Sequence, residues 1–147
     1  MNEQELQVFI DGTVNYFNKN SKDKAEVGSP YLVKEFKSNR TLFSASIGIS
    51  GKFQGMVYLF APKTMLASLL KDIGETEYTN EYAADLAGEA ANTIAGNARK
   101  YFGKDFMISV PAVHIGDEHE ILLNEGLKTY AVPIMWKDHK SILLISI

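Results

Sequence analysis

The longest helical pattern in the chain runs from residue 81 to residue 102. Apolar side chains recur there at intervals of three and four residues, which gathers them on one stripe of a helix of about six turns. The apolar stripe consists of Ala83, Leu86, Ala87, Ala90, Ala91, Ile94, Ala98 and Tyr101. The opposite, polar face consists of Asp85, Gly88, Glu89, Asn92, Gly96 and Arg99. The pattern predicts a helix with one side in the core and a polar ridge on the other.

Two features of that polar face are unusual. Glu89 and Asn92 stand three residues apart, so their side chains project side by side. Gly88 and Gly96 lie in the helix interior, where glycine costs about 1 kcal/mol relative to alanine. The glycines either allow another backbone to approach closely or allow tight packing within the fold. The E-x-x-N spacing recurs at residues 77–80, so the spacing alone proves little.

The remaining periodicities predict two shorter helices and six strands. A first helix at about 3–18 begins with a capping box of Asn2 and Glu5, and a second, short helix has Pro62 in its first turn and ends at Gly74. Thr79 or Asn80 is the expected N-cap of the long helix. Strands are predicted at about 31–37, 41–50, 53–61, 105–114, 126–136 and 140–147, with some strand character at 121–123.

The order of these elements predicts an α+β fold in a single domain, 1–147. Runs of strands interrupted by helices favour one antiparallel sheet of about six strands, with the long helices packed on one face. The first three strands are expected to form a meander. The order helix, three strands, two helices, three strands suggests an internal duplication. The C-terminal run at 141–147 is either a buried inner strand or an edge that pairs with another subunit.

Composition narrows the functional classes. The chain has 147 residues, a net charge of −3 and no basic run that could follow a phosphate backbone, which argues against nucleic acid as a partner. With no cysteine, thiol catalysis, disulfides and thiolate metal sites are excluded. The acidic amino terminus lacks the pattern of a signal peptide, so we expect a cytoplasmic protein with no membrane contact.

The remaining residue patterns give little support for a metal site or for a pair of catalytic carboxylates. The three histidines, at 114, 119 and 139, have no metal-ligand spacing, so we expect surface or strand-end histidines and no metal site. Asp85 and Glu89 are one turn apart, but they share a convex ridge instead of facing each other across a cleft, as glycosidase carboxylates do. Trp136 is expected in the core. From the residues alone, the chain is an α+β domain with an unusual polar ridge.

The segment GEAANTIAGNA, residues 88–98, resembles the signature helix of the CheX branch of the CheC-like chemotaxis phosphatases. The resemblance extends, in the same order, to VGSPYLVKEF, ISGKFQGMVYLFAP and ISVPAVHIGDEHEI. It covers about 27–147. Ala90 and Thr93 stand where bulkier apolar residues are common in the family.

The resemblance implies an α+β fold and dephosphorylation of CheY-type response regulators, which carry a phospho-aspartate and a bound Mg²⁺. Glu89 matches the acidic residue expected to pair with the regulator's active-site lysine, and Asn92 matches the amide expected to place the attacking water. Asp85, Gly88 and Gly96 are then expected to contact the partner. The resemblance also implies a homodimer that binds no cofactor itself, the Mg²⁺ belonging to the regulator.

Two other functions stay open at this point. A non-catalytic module of the same fold, such as a response-regulator adaptor or a relative of flagellar switch proteins, would bind through the ridge without hydrolysis, and fold alone does not choose between them. A small-molecule sensor would need a buried pocket. Retention of both Glu89 and Asn92 favours the enzyme.

Overall fold

A computed structural model describes residues 1–38, 40–121, 123 and 126–147. Its helices are α1 (Glu3–Asn20), α2 (Lys63–Asp72) and α3 (Asn80–Phe102). The strands of the described residues are β1 (Glu26–Val27), β2 (Tyr31–Val33), β3 (Phe36–Ser38), β4 (Leu42–Gly51), β5 (Gly55–Pro62), β6 (Phe106–Ile108), β7 (Ala112–Gly116), β8 (His119–Ile121), β9 (Thr129–Trp136) and β10 (His139–Ser146).

The helix boundaries follow the predicted start and stop signals. Asn2 accepts a hydrogen bond from the Glu5 backbone while the Glu5 side chain accepts one from the Asn2 backbone, so the capping box of α1 is confirmed. Pro62 immediately precedes α2. Thr79 caps α3 by accepting from the Tyr82 amide, and Gly103 ends it with a positive φ of 95°.

The predicted antiparallel sheet is confirmed, although it has eight strands in the described residues where about six were expected. Its order is β1-β9-β10-β5-β4-β6, with β2 also paired to β9 and β7 also paired to β4. The strands β3 and β8 form a separate two-stranded sheet. Every pairing within the described strands is antiparallel.

The predicted meander is confirmed for its second and third strands, which pair as β4 and β5, and is wrong for its first strand. The run at 31–37 breaks into β2 and β3, and these pair with β9 and β8 instead of β4. The run at 105–114 also divides, into β6 and β7, around Pro111, which has no backbone N–H to donate to a neighbouring strand. Strand character at 121–123 is confirmed at Ile121, the last residue of β8, and is wrong at Leu123, which is in no strand, whereas Leu122 lies outside the described residues.

The two faces of the sheet are covered differently. Alternate residues of β4, β5, β9 and β10 enter the main core beneath the helices, and Trp136 is fully buried there as predicted. On the opposite face, Leu42, Phe60, Ala131 and Leu144 form a smaller cluster against β3 and β8. The helices therefore pack on one face of the sheet, which leaves one side of α3 toward solvent.

The pairing pattern repeats between the two halves of the chain. The hairpin of β4 and β5 corresponds to the hairpin of β9 and β10, and the two hairpins join through β5 and β10 at the centre of the sheet. The β1 and β2 strands flank β9 as β6 and β7 flank β4. This arrangement supports the suggested duplication. It also makes the C-terminal run an inner strand, because β10 lies between β9 and β5.

Candidate functional site

Helix α3 presents its small residues to the core and its polar residues to solvent. Alanines at positions 83, 87, 91, 95 and 98 are buried, and their size lets the helix lie close to the sheet. Tyr101 departs from the predicted stripe, because it lies in the last turn with 60% of its surface exposed. Phe102 instead contacts the core, with its ring 5.1 Å from that of Phe106. Because the alanine side of α3 is buried against the sheet, the opposite side of the helix faces solvent.

The exposed side of α3 carries the predicted polar residues. We call Asp85, Glu89, Asn92 and Gly96 the α3 ridge. Asp85, Glu89 and Asn92 are exposed, while Gly96 is half-buried. Within the described part of the chain, none of their side chains makes a hydrogen bond or an ion pair. A carboxylate and an amide without internal partners remain available to a ligand or to another protein.

The two unusual glycines have different surroundings. Gly88 is buried, and an added Cβ would lie 3.3 Å from both Pro111 Cγ and Val113 Cγ2. Its missing side chain thus lets α3 pack against the segment that leads into β7, which agrees with the packing interpretation. An added Cβ at Gly96 would meet no atom within 4 Å. Gly96 therefore leaves open space on the ridge. That Gly88 and Gly96 contact a partner stays a prediction.

The segment 109–111 borders the ridge on the side of Gly88, because Pro111 packs directly on that glycine. Val110 in this segment is 85% exposed. Sequence reasoning placed Val110 inside a strand at 105–114 and so missed it as a surface residue. The neighbouring proline was the available signal that the strand would break there.

The other side of the ridge is bordered by α1. Asn97 donates a hydrogen bond from Nδ2 to the Val8 carbonyl at 3.4 Å, and Gly12 faces the Ile94 carbonyl and Asn97. Farther along α1, Tyr16 is buried with 2% exposure. Burial raises the pKa of the Tyr16 phenol well above its usual range, and the nearby negative charge of Glu89 raises it further. The charge of Glu89 thus acts on the buried phenol of the neighbouring helix.

The second E-x-x-N copy has no comparable geometry. Glu77 lies in the connection before α3, and Asn80 is the first residue of the helix. The Asn80 Oδ1 accepts a hydrogen bond from the Tyr78 hydroxyl at 3.0 Å. The carboxylate and the amide of this copy therefore do not share a helical ridge.

The histidines do not assemble into a site with the acidic residues. His119 is the first residue of β8, one of the strand-end positions expected for the histidines; it is buried, and its Nε2 lies 3.0 Å from the carbonyl oxygens of Leu42 and Gly116. The His114 ring lies 5.3 Å from the His119 ring. Among the described residues, no group of three or more histidine, aspartate or glutamate side chains is arranged to hold a metal ion. None of the described helices has the length and apolar character needed to cross a bilayer.

A convex ridge with an unpartnered carboxylate and amide suits contact with a macromolecule better than enclosure of a small molecule, since small-molecule sites are usually concave. The carboxylate can pair with a cation, and the amide can both donate a hydrogen bond to water and accept one from it. Neither group has a hydrogen-bond or ion-pair partner among the residues that the structure describes.

Solved structures with the same fold identify the class of this domain. The chain is similar to a candidate chemotaxis protein from Desulfovibrio vulgaris Hildenborough, with 26% identity, a TM-score of 0.83 and coverage of 96% of this chain and 94% of that one. It is similar in fold to a CheC-like superfamily protein from Shewanella sp. PV-4, with 22% identity, a TM-score of 0.84 and coverage of 99% and 98%. The α+β architecture is thus that of the CheC-like proteins.

A family profile makes the assignment more specific. The family described as "Chemotaxis phosphatase CheX" matches residues 43–135, and the chain belongs to this family. The matched region contains the whole of α3 and its ridge. The chain is also similar in fold to the CheX of a CheX-CheY-BeF3-Mg²⁺ complex from Borrelia burgdorferi, with 21% identity, a TM-score of 0.76 and coverage of 96% of each chain. No curated protein matches this chain in sequence.

Proposed function

We propose that this protein is a phosphatase for the phospho-aspartate of a CheY-type response regulator in the cytoplasm. The observation that carries the proposal is the exposed, unpartnered pair of Glu89 and Asn92 on α3, within the region that matches the chemotaxis phosphatase family. The Borrelia complex supports a CheY-type partner, because there a CheX of the same fold is bound to CheY with BeF3 and Mg²⁺.

Asn92 positions the attacking water. An acyl phosphate is already activated, so the catalyst mainly has to hold water in line with phosphorus while the regulator keeps its own Mg²⁺. The water oxygen forms the new bond to phosphorus, and the bond from phosphorus to the aspartyl oxygen breaks. The electron pair of the broken bond stays on the aspartate carboxylate, and both protons of the water leave with the inorganic phosphate, as H2PO4−. The Asn92 amide suits this task because it donates and accepts without titrating.

Glu89 docks the regulator. Its carboxylate pairs with the regulator's active-site lysine, and that charge-assisted contact strengthens as the two proteins exclude water. The exposed position of Glu89 on a rigid helix makes such an approach feasible, whereas a loop would hold it less firmly. Asp85 and the open surface at Gly96 lie on the same ridge and flank the contact.

The test is the lifetime of the aspartyl phosphate on a CheY-type receiver domain from the same organism. The receiver is labelled with radioactive phosphate, and loss of label is followed with and without the protein. We expect faster loss in proportion to protein concentration. Binding of the phosphorylated receiver without any change in the lifetime of its phosphate would contradict the proposal and favour the adaptor.

A further inference from the structure

Tyr16 carries an unexplained polar atom. In the described part of the chain, its hydroxyl oxygen is the buried side-chain polar atom that has no hydrogen-bond partner. Buried hydroxyls are nearly always paired, because burying one without a partner costs free energy. The aromatic ring needs no such explanation, since it packs edge-on against Phe17 with the ring centroids 5.5 Å apart. A phenylalanine would supply the same packing without the hydroxyl.

The packing of α1 against α3 places this hydroxyl close to the ridge. Phe9, early in α1, contacts Phe102 at the end of α3, and Gly12 faces Ile94 and Asn97. The two helices therefore run antiparallel. Because Tyr16 is one turn beyond Gly12, it lies about one turn before Ile94, near Ala90 and therefore next to Glu89 in the chain. Burial is the main reason why the pKa of the Tyr16 phenol is raised, and the negative charge of Glu89 adds to it, in agreement with this placement.

Glu89 has no competing partner in the same region. Its side chain is exposed and makes no hydrogen bond or ion pair with any residue that the structure describes. A long, exposed side chain samples several rotamers, and fixing one of them on binding costs entropy. A hydrogen-bond donor close to the Glu89 side chain would reduce that entropy cost, because it would hold the carboxylate in one orientation before the partner binds.

We propose that Tyr16 is a positioning residue for Glu89: when the Glu89 side chain turns from the rotamer in the structure toward α1, the buried Tyr16 hydroxyl donates a hydrogen bond to the carboxylate and orients it toward a cationic group of the partner. The inference rests on the proposed function in so far as the partner is the response regulator. It extends that function by assigning to α1 a part in docking. The proposal also gives a role to the unpaired Tyr16 hydroxyl. Docking excludes water from the Glu89 carboxylate, which strengthens the hydrogen bond that the hydroxyl donates to it.

The first experiment measures binding to a CheY-type receiver domain activated with beryllofluoride and Mg²⁺. We expect Tyr16→Phe to raise Kd about fivefold, the loss of one hydrogen bond of ordinary strength. With phosphorylated receiver, KM should rise by a similar factor while kcat changes little. In the Glu89→Ala background, Tyr16→Phe should change neither quantity. The matched control is Tyr58→Phe, which removes a phenol hydroxyl on the sheet face away from the helices.

The second experiment needs no partner. Urea unfolding is measured for wild type, Tyr16→Phe, Glu89→Ala and the double variant. We expect Tyr16→Phe to lower the urea midpoint when Glu89 is present, and to leave it unchanged or raise it in the Glu89→Ala background. Equal shifts in both backgrounds, or a higher midpoint in both, would overturn the assignment to Tyr16.

The two experiments separate the two proposals. If the wild-type protein neither binds the receiver nor shortens its phosphate lifetime, the proposed function fails, whereas the unfolding cycle still decides whether Tyr16 and Glu89 interact. If the wild type is active but Tyr16→Phe has the same effect on Kd with and without Glu89, only the positioning role is wrong.

Discussion

Gly88 and Gly96 lie two turns apart on α3, but an added methyl group would meet different surroundings at the two positions. At Gly88 it would press on Pro111 and Val113, and at Gly96 it would face open space. The sequence could show that both glycines were unusual, but it left two explanations open for each. Which of the two explanations applies to each glycine depends on whether another segment packs against the helix there. The segment that packs on Gly88 is more than ten residues away in the chain.

Gly96→Ala is expected to stabilise the fold by about 0.5 to 1 kcal/mol, because alanine loses less backbone entropy in a helix interior and its methyl group meets nothing there. Gly88→Ala should gain less or nothing, since its methyl group is crowded. Urea unfolding of the two variants measures the difference. If Gly96 also provides clearance for the partner, Gly96→Ala will weaken receiver binding despite its higher stability. Equal stabilisation by both substitutions would contradict the packing assigned to Gly88.

The helices could be predicted well because their signals are local. Capping residues, apolar periodicity and terminal glycines lie within the elements themselves, and α1, α2 and α3 follow them closely. Strand partners depend on distant segments, so β1 was missed and the first predicted strand was paired with the wrong neighbour. Glu89 and Asn92 could be placed on an exposed ridge because the apolar periodicity of the helix assigns them to the face opposite the core. Tyr16 could not be associated with them, because only the packing of α1 on α3 brings it there.

An ion-pair network joins three elements at the end of the molecule where α1 stops. Lys137, in the tight turn between β9 and β10, donates to both Asp72 carboxylate oxygens at 2.8 and 2.7 Å. The Ser21 hydroxyl donates to the same carboxylate at 2.7 Å, and Asp23 lies 3.5 Å from Lys137. The hydrogen bond from Lys137 is the main reason why the pKa of Asp72 is held below its usual value, and the bond from Ser21 adds to it.

Asp72→Asn is expected to destabilise the fold by about 1 kcal/mol near pH 7, since the network is only partly exposed. Because the folded pKa of Asp72 lies below the unfolded value near 3.9, its contribution is complete above that value and is lost as pH falls through the folded pKa. The free energy difference between wild type and variant, measured by urea unfolding, should therefore shrink below about pH 4. A difference that stays constant from pH 7 to pH 3 would show that the charge of Asp72 is not responsible.

The whole sheet has a repeated architecture whose centre is the pairing of β5 with β10. Because the C-terminal strand lies inside the sheet, it cannot serve as the edge that pairs with another subunit. The outer strands are instead β1 and β2 on one side and β6 and β7 on the other. The family resemblance still implies a homodimer, which stays a prediction.

Light scattering coupled to size-exclusion chromatography tests that prediction. A homodimer should have about twice the mass of the 16.3 kDa chain at micromolar concentration. A monomer mass that does not rise with protein concentration would contradict it. The measured mass tests the oligomeric state and not the proposed site, because Glu89 and Asn92 lie on the same helix of one chain.

The rate of phosphate release by Asn92→Ala tests the central claim most directly. Radioactive phosphate lost from a phosphorylated CheY-type receiver is followed with wild type, Asn92→Ala and Thr93→Ala, whose side chain is exposed on the neighbouring position of α3. We expect Asn92→Ala to lower kcat roughly 100-fold, by analogy with the loss of one positioned donor, and Thr93→Ala to stay near the wild-type rate. Because the Asn92 side chain is exposed and makes no hydrogen bond or ion pair with any residue that the structure describes, and alanine favours a helix, the variant should unfold at the same urea concentration as the wild type or at a slightly higher one. An Asn92→Ala protein that releases phosphate as fast as the wild type would contradict the account.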